Sequence, residues 1–93
     1  MPHTFPCDTL DSGHPGPHLL ITAGVHGDEW VGMVACRRLL GIFATELRQG
    51  KVTIVPIANL AAFARANRCA EDDKDLARTF PGKADGTVTE RLA

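Results

Sequence analysis

Two apolar runs separated by one helix-length segment set the limits on what this chain can fold into. Residues 18–24, HLLITAG, are a continuous apolar, partly β-branched stretch, the pattern of a strand buried on both faces. Residues 51–57, KVTIVPI, form a second such run. Between them, from about residue 28 to residue 47, Val31, Val34, Ala35, Leu39, Ile42 and Phe43 recur at helical spacing. Arg37, Arg38 and Glu46 lie off that face, and Gly50 stops the helix. Asp28 and Glu29 stand in the first turn, where negative charge suits the helix dipole. Strand, helix and strand in that order make a parallel βαβ unit, and the fold class is α/β.

The flanking segments add smaller elements. Residues 3–10 read as a short edge strand and residues 11–17, DSGHPGP, as a turn. Residues 59–67 read as a short helix. Residues 68–82 carry neither period and read as a polar loop. Thr87, with Glu90 three residues on, caps a last helix. A lone βαβ unit leaves a parallel sheet with an open edge, which such sheets seldom tolerate. The last helix also shows no C-terminal glycine or cap. These 93 residues are therefore expected to be the opening part of a larger α/β domain.

Composition removes several classes of function. At 44% hydrophobic and 23% charged residues, the chain is an ordinary globular one rather than a disordered one. A net charge of −1 without a basic stripe argues against nucleic acid as a partner. No apolar stretch reaches the ~20 residues that span a bilayer. The opening MPHTFPCDTLDSG has prolines and polar residues where a signal peptide is apolar. Cys7, Cys36 and Cys69 are odd in number and widely spaced, which points to free thiols in a reducing cytoplasm.

The first apolar run ends on an ionisable cluster, GVHGDEWVG at residues 24–32. In open α/β sheets, sites gather at the carboxyl ends of strands, where loops lead into helices. His26 and Glu29 sit at such a passage, and one imidazole with one carboxylate suits a zinc ion. Gly24 and Gly27 let the backbone turn sharply there. The competing reading is that Asp28 and Glu29 only cap the helix and His26 is a satisfied polar residue. Spacing alone leaves both open. A phosphate-binding loop is excluded: no G-x-G-x-x-G or G-K-[ST] is present, and two acids stand where an anion would bind. A second cluster holds Arg65, Arg68, EDDKD and DLARTFPG. Arg78 or Arg68 there suits an acidic substrate group, since arginine grips a carboxylate at two points. The alternative is a solvated loop with internal ion pairs. His3, His14 and His18 read as surface or turn residues.

GVHGDEWVG followed by DLARTFPG and TERLA resembles the succinylglutamate desuccinylase/aspartoacylase family, a branch of the zinc carboxypeptidase-like fold. The resemblance runs from about residue 12 to the end. It implies a mixed-sheet domain of which residues 1–93 are the N-terminal part of a single catalytic domain. It implies that His26 and Glu29 are two of the zinc ligands, that Arg78 binds the substrate carboxylate, and that Arg68 is a second substrate contact. The third ligand, a histidine, and the general-base glutamate are expected beyond residue 93. No catalytic base is therefore expected in this chain, and residues 1–93 alone are expected to be inactive. The implied activity is zinc-dependent hydrolysis of the amide of a small carboxylated N-acyl amino acid, of the N-succinylglutamate or N-acetylaspartate type. Where the family often reads D-L-N-R, this chain has Ala77, which leaves acyl and amino-acid specificity open. A zinc metallocarboxypeptidase-like peptidase and a non-catalytic α/β module are the alternative functions.

Overall fold

The computed structural model describes residues 6–93. Strands β1 (Asp8–Asp11), β2 (His18–Thr22) and β3 (Lys51–Val55) form one mixed sheet in the order β1-β3-β2. Helix α1 (Trp30–Glu46) crosses from β2 to β3, which pair in parallel with Leu19 beside Val52 and Ile21 beside Ile54. β1 pairs antiparallel with β3, Thr9 beside Thr53. The βαβ unit is present, and the antiparallel β1 makes the sheet mixed. β1 occupies the last part of the expected 3–10 strand; its first residues, His3 included, lie outside the described residues. Helix α2 (Leu60–Ala64), a 3₁₀ turn (Leu76–Arg78) and helix α3 (Val88–Leu92) follow.

The core lies between α1 and the sheet. Cys36, Val52 and Ile54 are buried there, with Ile21, Ala23, Leu39, Leu40, Phe43 and Leu47 packed around them. Of the six residues expected to face inward, Leu39 and Phe43 do. Val31, at 86% exposure, and Val34 and Ile42 face outward. Met33, Cys36 and Leu40 take the inner positions instead. The cause is visible in the composition of the segment. Apolar residues surround the helix on nearly every side, so more than one face satisfies the period. Cys36 fills a core position as a small hydrophobe.

β2 is also placed differently from the expectation of a strand buried on both faces. It lies at the end of the sheet with β3 as its neighbour, and Leu20 is 62% exposed. α1 starts at Trp30, so Asp28 and Glu29 precede its first turn; it ends at Glu46, before Gly50.

Residues 68–82 bury Ala70 and Leu76 and are held by polar contacts as well. The Asp72 carboxylate accepts from the Thr89 N–H at 2.9 Å and from the Thr87 and Thr89 hydroxyls at 2.7 Å each. Glu90 accepts from the Thr87 N–H at 3.3 Å, so the expected capping box forms and Asp72 reinforces it from a distance in sequence. Partial burial pushes the Asp72 pKa up, but the bonds from Thr87, Thr89 and the Lys74 N–H outweigh it and hold the value at about 2. A depressed carboxylate pKa stabilises the fold fully above the unfolded value of about 3.9, and the effect is lost as pH falls through about 2. Asp72→Ala is expected to cost on the order of 2 kcal/mol near neutral pH. In urea unfolding followed by circular dichroism, its deficit against the unmodified protein should shrink between pH 4 and pH 2. A deficit independent of pH would contradict the cap.

Candidate metal centre

The chain leaves β2 through a tight passage. The Ala23 N–H donates to Val55 O at 2.9 Å, and then the Ala58 and Asn59 N–H groups donate to Ala23 O and Gly24 O at 2.8 and 2.9 Å. The segment after β2 is thus stitched to the segment after β3. Gly24 has φ of +69°, and a Cβ there would strike the backbone of Ile57. Gly27 lies against the backbone at Ala62 and Phe63 with no room for a side chain. Buried Asn59 ties this region together: its amide nitrogen reaches Val25 O at 3.5 Å and its oxygen caps α2 through the Ala62 N–H at 3.1 Å.

These contacts place His26 beyond the end of β2, at 15% exposure. The Glu29 N–H donates to His26 O at 3.3 Å, folding the chain back so that Glu29 Oε2 lies 2.8 Å from His26 Nδ1. The other ring nitrogen, Nε2, lies 2.9 Å from Asp75 Oδ1. Asp75 precedes the 3₁₀ turn and is equally sheltered, at 15% exposure. Its Oδ1 accepts from the Ala77 N–H at 2.9 Å, and its Oδ2 accepts from Arg68 Nη2 at 3.0 Å. Arg78 Nε lies farther out, at 3.7 Å from the same oxygen, and its side chain is 83% exposed.

The two sequence clusters therefore meet. His26 and Glu29 stand together, and Arg68 and Arg78 flank Asp75, which joins both arginines to His26. His14 and His18 lie elsewhere, exposed; His18 Nε2 contacts the Thr53 hydroxyl at 2.6 Å on the sheet. Sequence reasoning missed Asp75. Its signal was present, as the first residue of DLAR, but an acid in a charged loop carries no periodicity that marks it.

The charges at His26 fix what can stand between it and Glu29. The Asp75 hydrogen bond, then the Glu29 bond, raise the His26 pKa above its ordinary 6.5. The bond from His26 is likewise the leading cause that holds Asp75 at about 2. Asp75 is thus a carboxylate at all ordinary pH, an acceptor that demands a proton on Nε2. In a neutral ring Nδ1 is then a lone pair facing a carboxylate oxygen at 2.8 Å. Two acceptors at that distance need a positive species between them. A second proton serves, and so does a metal ion. His26 and Glu29 fit an ion by this test, and Asp75 holds the position of the outer carboxylate that commonly fixes the tautomer of a ligating histidine. Among the described residues, no group of three or more His, Cys, Asp or Glu side chains is arranged to hold an ion.

Comparison with known proteins agrees with this architecture. The model of the succinylglutamate desuccinylase/aspartoacylase catalytic domain matches residues 15–93. The chain belongs to that family. It is 43% identical over 79 residues to the N-alpha-acetyl-L-2,4-diaminobutyric acid deacetylase of Halomonas elongata, covering 84% of this chain and 23% of that protein. An aspartoacylase family protein of Mesorhizobium loti superposes with a TM-score of 0.88 at 40% identity, over 96% of this chain and 28% of that one. The ectoine utilization protein of Ruegeria pomeroyi, solved with product bound, gives 0.83 at 39% identity, over 96% and 27%. The chain thus spans about a quarter of the length of these relatives. Among the described residues, no helix is long and apolar enough to cross a membrane.

The order of causes at His26 is directly measurable. Asp75→Asn should lower its pKa towards 6.5, and Glu29→Gln should lower it by less. NMR titration of the ring proton signals in metal-free protein reads both. A larger effect from Glu29→Gln, or none from Asp75→Asn, would contradict the arrangement.

Proposed function

We propose that this chain is the N-terminal part of a single zinc-dependent catalytic domain that hydrolyses the amide bond of small carboxylated N-acyl amino acids. The observation that carries the proposal is His26, with Glu29 on one ring nitrogen and Asp75 on the other. Family membership and a relative named for deacetylating an N-acetyl diamino acid support the reaction class. The domain assignment is supported by the share of the relatives that is matched and by the exposed leucines of β2. The third zinc ligand and the general base would come from outside these residues, leaving residues 1–93 alone without turnover. Free Cys7, Cys36 and Cys69 suit a reducing, cytoplasmic setting.

In this reading His26, through Nδ1, and Glu29 hold the ion. A bound zinc supplies Lewis acidity at the acyl carbonyl. Asp75 keeps the Nε2 proton of His26 in place and so keeps Nδ1 available. Arg78, exposed and only loosely held by Asp75, grips the substrate carboxylate with two parallel charge-assisted bonds. Arg68 is already bonded to Asp75, which sets its guanidinium as a fixed neighbour of the same anion. Ala77 offers no side-chain hydrogen bond, so carboxylate recognition falls on the arginines. Both ligands must be deprotonated, so metal affinity should fall with falling pH as protons compete for His26.

The test uses the full-length enzyme carrying these residues. His26→Ala and Glu29→Gln should lose zinc and activity together, by metal analysis and by assay on N-acyl amino acids. Arg78→Lys should keep its zinc and lower kcat/KM roughly ten- to several-hundred-fold on a carboxylated substrate, the equivalent of one or two charged hydrogen bonds. An uncharged amide should be affected far less. Full zinc content in His26→Ala would remove His26 from the metal site. Equal slowing of both substrates would remove Arg78 from carboxylate recognition.

A further inference from the structure

Asn59 and Thr89 are the two buried polar side chains among the described residues, and Thr89 bonds to Asp72 in the cap of α3. Asn59 is different: every one of its polar groups is engaged between α2 and the segment that carries His26. Its N–H donates to Gly24 O at 2.9 Å, and its carbonyl accepts from the Phe63 N–H at 3.0 Å. The side-chain oxygen accepts from the Ala62 N–H at 3.1 Å, and the side-chain nitrogen reaches Val25 O at 3.5 Å. A backbone N–H can only donate, so the atom facing Ala62 is the oxygen, and the planar amide turns its nitrogen to Val25. Among the described contacts that nitrogen has no other acceptor, and Val25 O has no other donor.

Val25 O belongs to the peptide that enters His26. On the far side of His26, the Gly27 N–H donates to Arg68 O at 3.4 Å, and Gly27 lies so close to the Ala62 backbone that a Cβ would clash. The His26 backbone is therefore held on both flanks, and α2 with its cap touches each of them. Ligands of a working site must sit within about 0.5 Å of their productive positions. A side chain that fixes the backbone at His26 sets that position without touching the ion.

We propose that Asn59 is a positioning residue for the candidate metal centre, holding the Val25–His26 peptide so that the His26 ring meets Glu29 at the ion. This rests on the zinc reading above and deepens it with a group outside the ligand set. Asparagine suits the role because one short side chain supplies both an acceptor for α2 and a donor for Val25 O. Serine caps a helix comparably, but its single short hydroxyl does not also reach Val25 O. Aspartate keeps the capping oxygen and turns a second acceptor on that carbonyl.

The test measures the zinc dissociation constant of the full-length enzyme by competition with a chelator at fixed pH, alongside the thermal midpoint. Asn59→Ser should bind zinc roughly ten- to hundredfold more weakly, the range for losing a group that orients a metal ligand. Asn59→Asp should weaken binding at least as much. Val52→Ala is the control, since Val52 is a buried core residue at the opposite end of β3. It should lower the midpoint and leave zinc affinity within about twofold. Zinc affinity within about twofold of the unmodified enzyme's in Asn59→Ser would overturn the assignment, as would an equal loss in Val52→Ala. Either result leaves His26 and Glu29 as ligands. Unchanged zinc affinity in His26→Ala would overturn the zinc reading and this proposal with it.

Discussion

The hydrogen bond between His26 Nε2 and Asp75 Oδ1, at 2.9 Å, is the contact on which the candidate site depends. It joins the end of β2 to a loop 49 residues further along. With it, His26 carries a proton on Nε2 and presents Nδ1 to Glu29; without it, the Glu29 carboxylate at 2.8 Å would draw the proton to Nδ1. Asp75 also collects Arg68, the Ala77 N–H and, more loosely, Arg78. One carboxylate thus orients a candidate metal ligand and anchors the arginines near it. Its pKa of about 2 keeps the arrangement charged throughout the ordinary pH range.

The same economy of polar contacts shapes the segment from residue 68 to residue 82. Ala70 and Leu76 are its buried apolar anchors. Asp72 fastens it to the start of α3, Asp75 fastens it to β2 through His26, and the Thr79 hydroxyl closes the 3₁₀ turn on Asp75 O at 2.6 Å. On the strand side, the glycines at 24 and 27 and the buried Asn59 allow two chain segments and α2 to approach closely. Precision at His26 comes from both sides: a close-packed backbone beneath and a charged network above.

Those two kinds of order differ in how far a sequence reveals them. Continuous apolar runs located both strands of the βαβ unit, and periodicity located the helix between them, because burial against a sheet leaves those patterns. It misplaced the inner face of α1, since Val31 and Val34 satisfy the period as well as Met33 and Cys36 do. The first apolar run read as a strand buried on both faces, whereas in the described fold β2 lies at the end of the sheet with Leu20 exposed. His26 and Glu29 were legible because an ionisable pair at the end of an apolar run costs free energy unless it is used. Asp75 was not, because its partner lies far away in sequence and no local pattern encodes a long-range hydrogen bond. Asp28 was read as a favourable charge in the first helical turn, and only the structure shows that it precedes α1.

A cation shared by His26 and Glu29 would occupy the position that Asp75 prepares. Anomalous X-ray diffraction at the zinc edge, on crystals of the full-length enzyme grown with zinc, tests it most directly. The account predicts an ion at about 2.0–2.2 Å from both His26 Nδ1 and a Glu29 oxygen, the usual zinc–ligand distances, with Asp75 still bonded to Nε2. An ion bound through Nε2 with Asp75 displaced, or one that touches neither His26 nor Glu29, would contradict it.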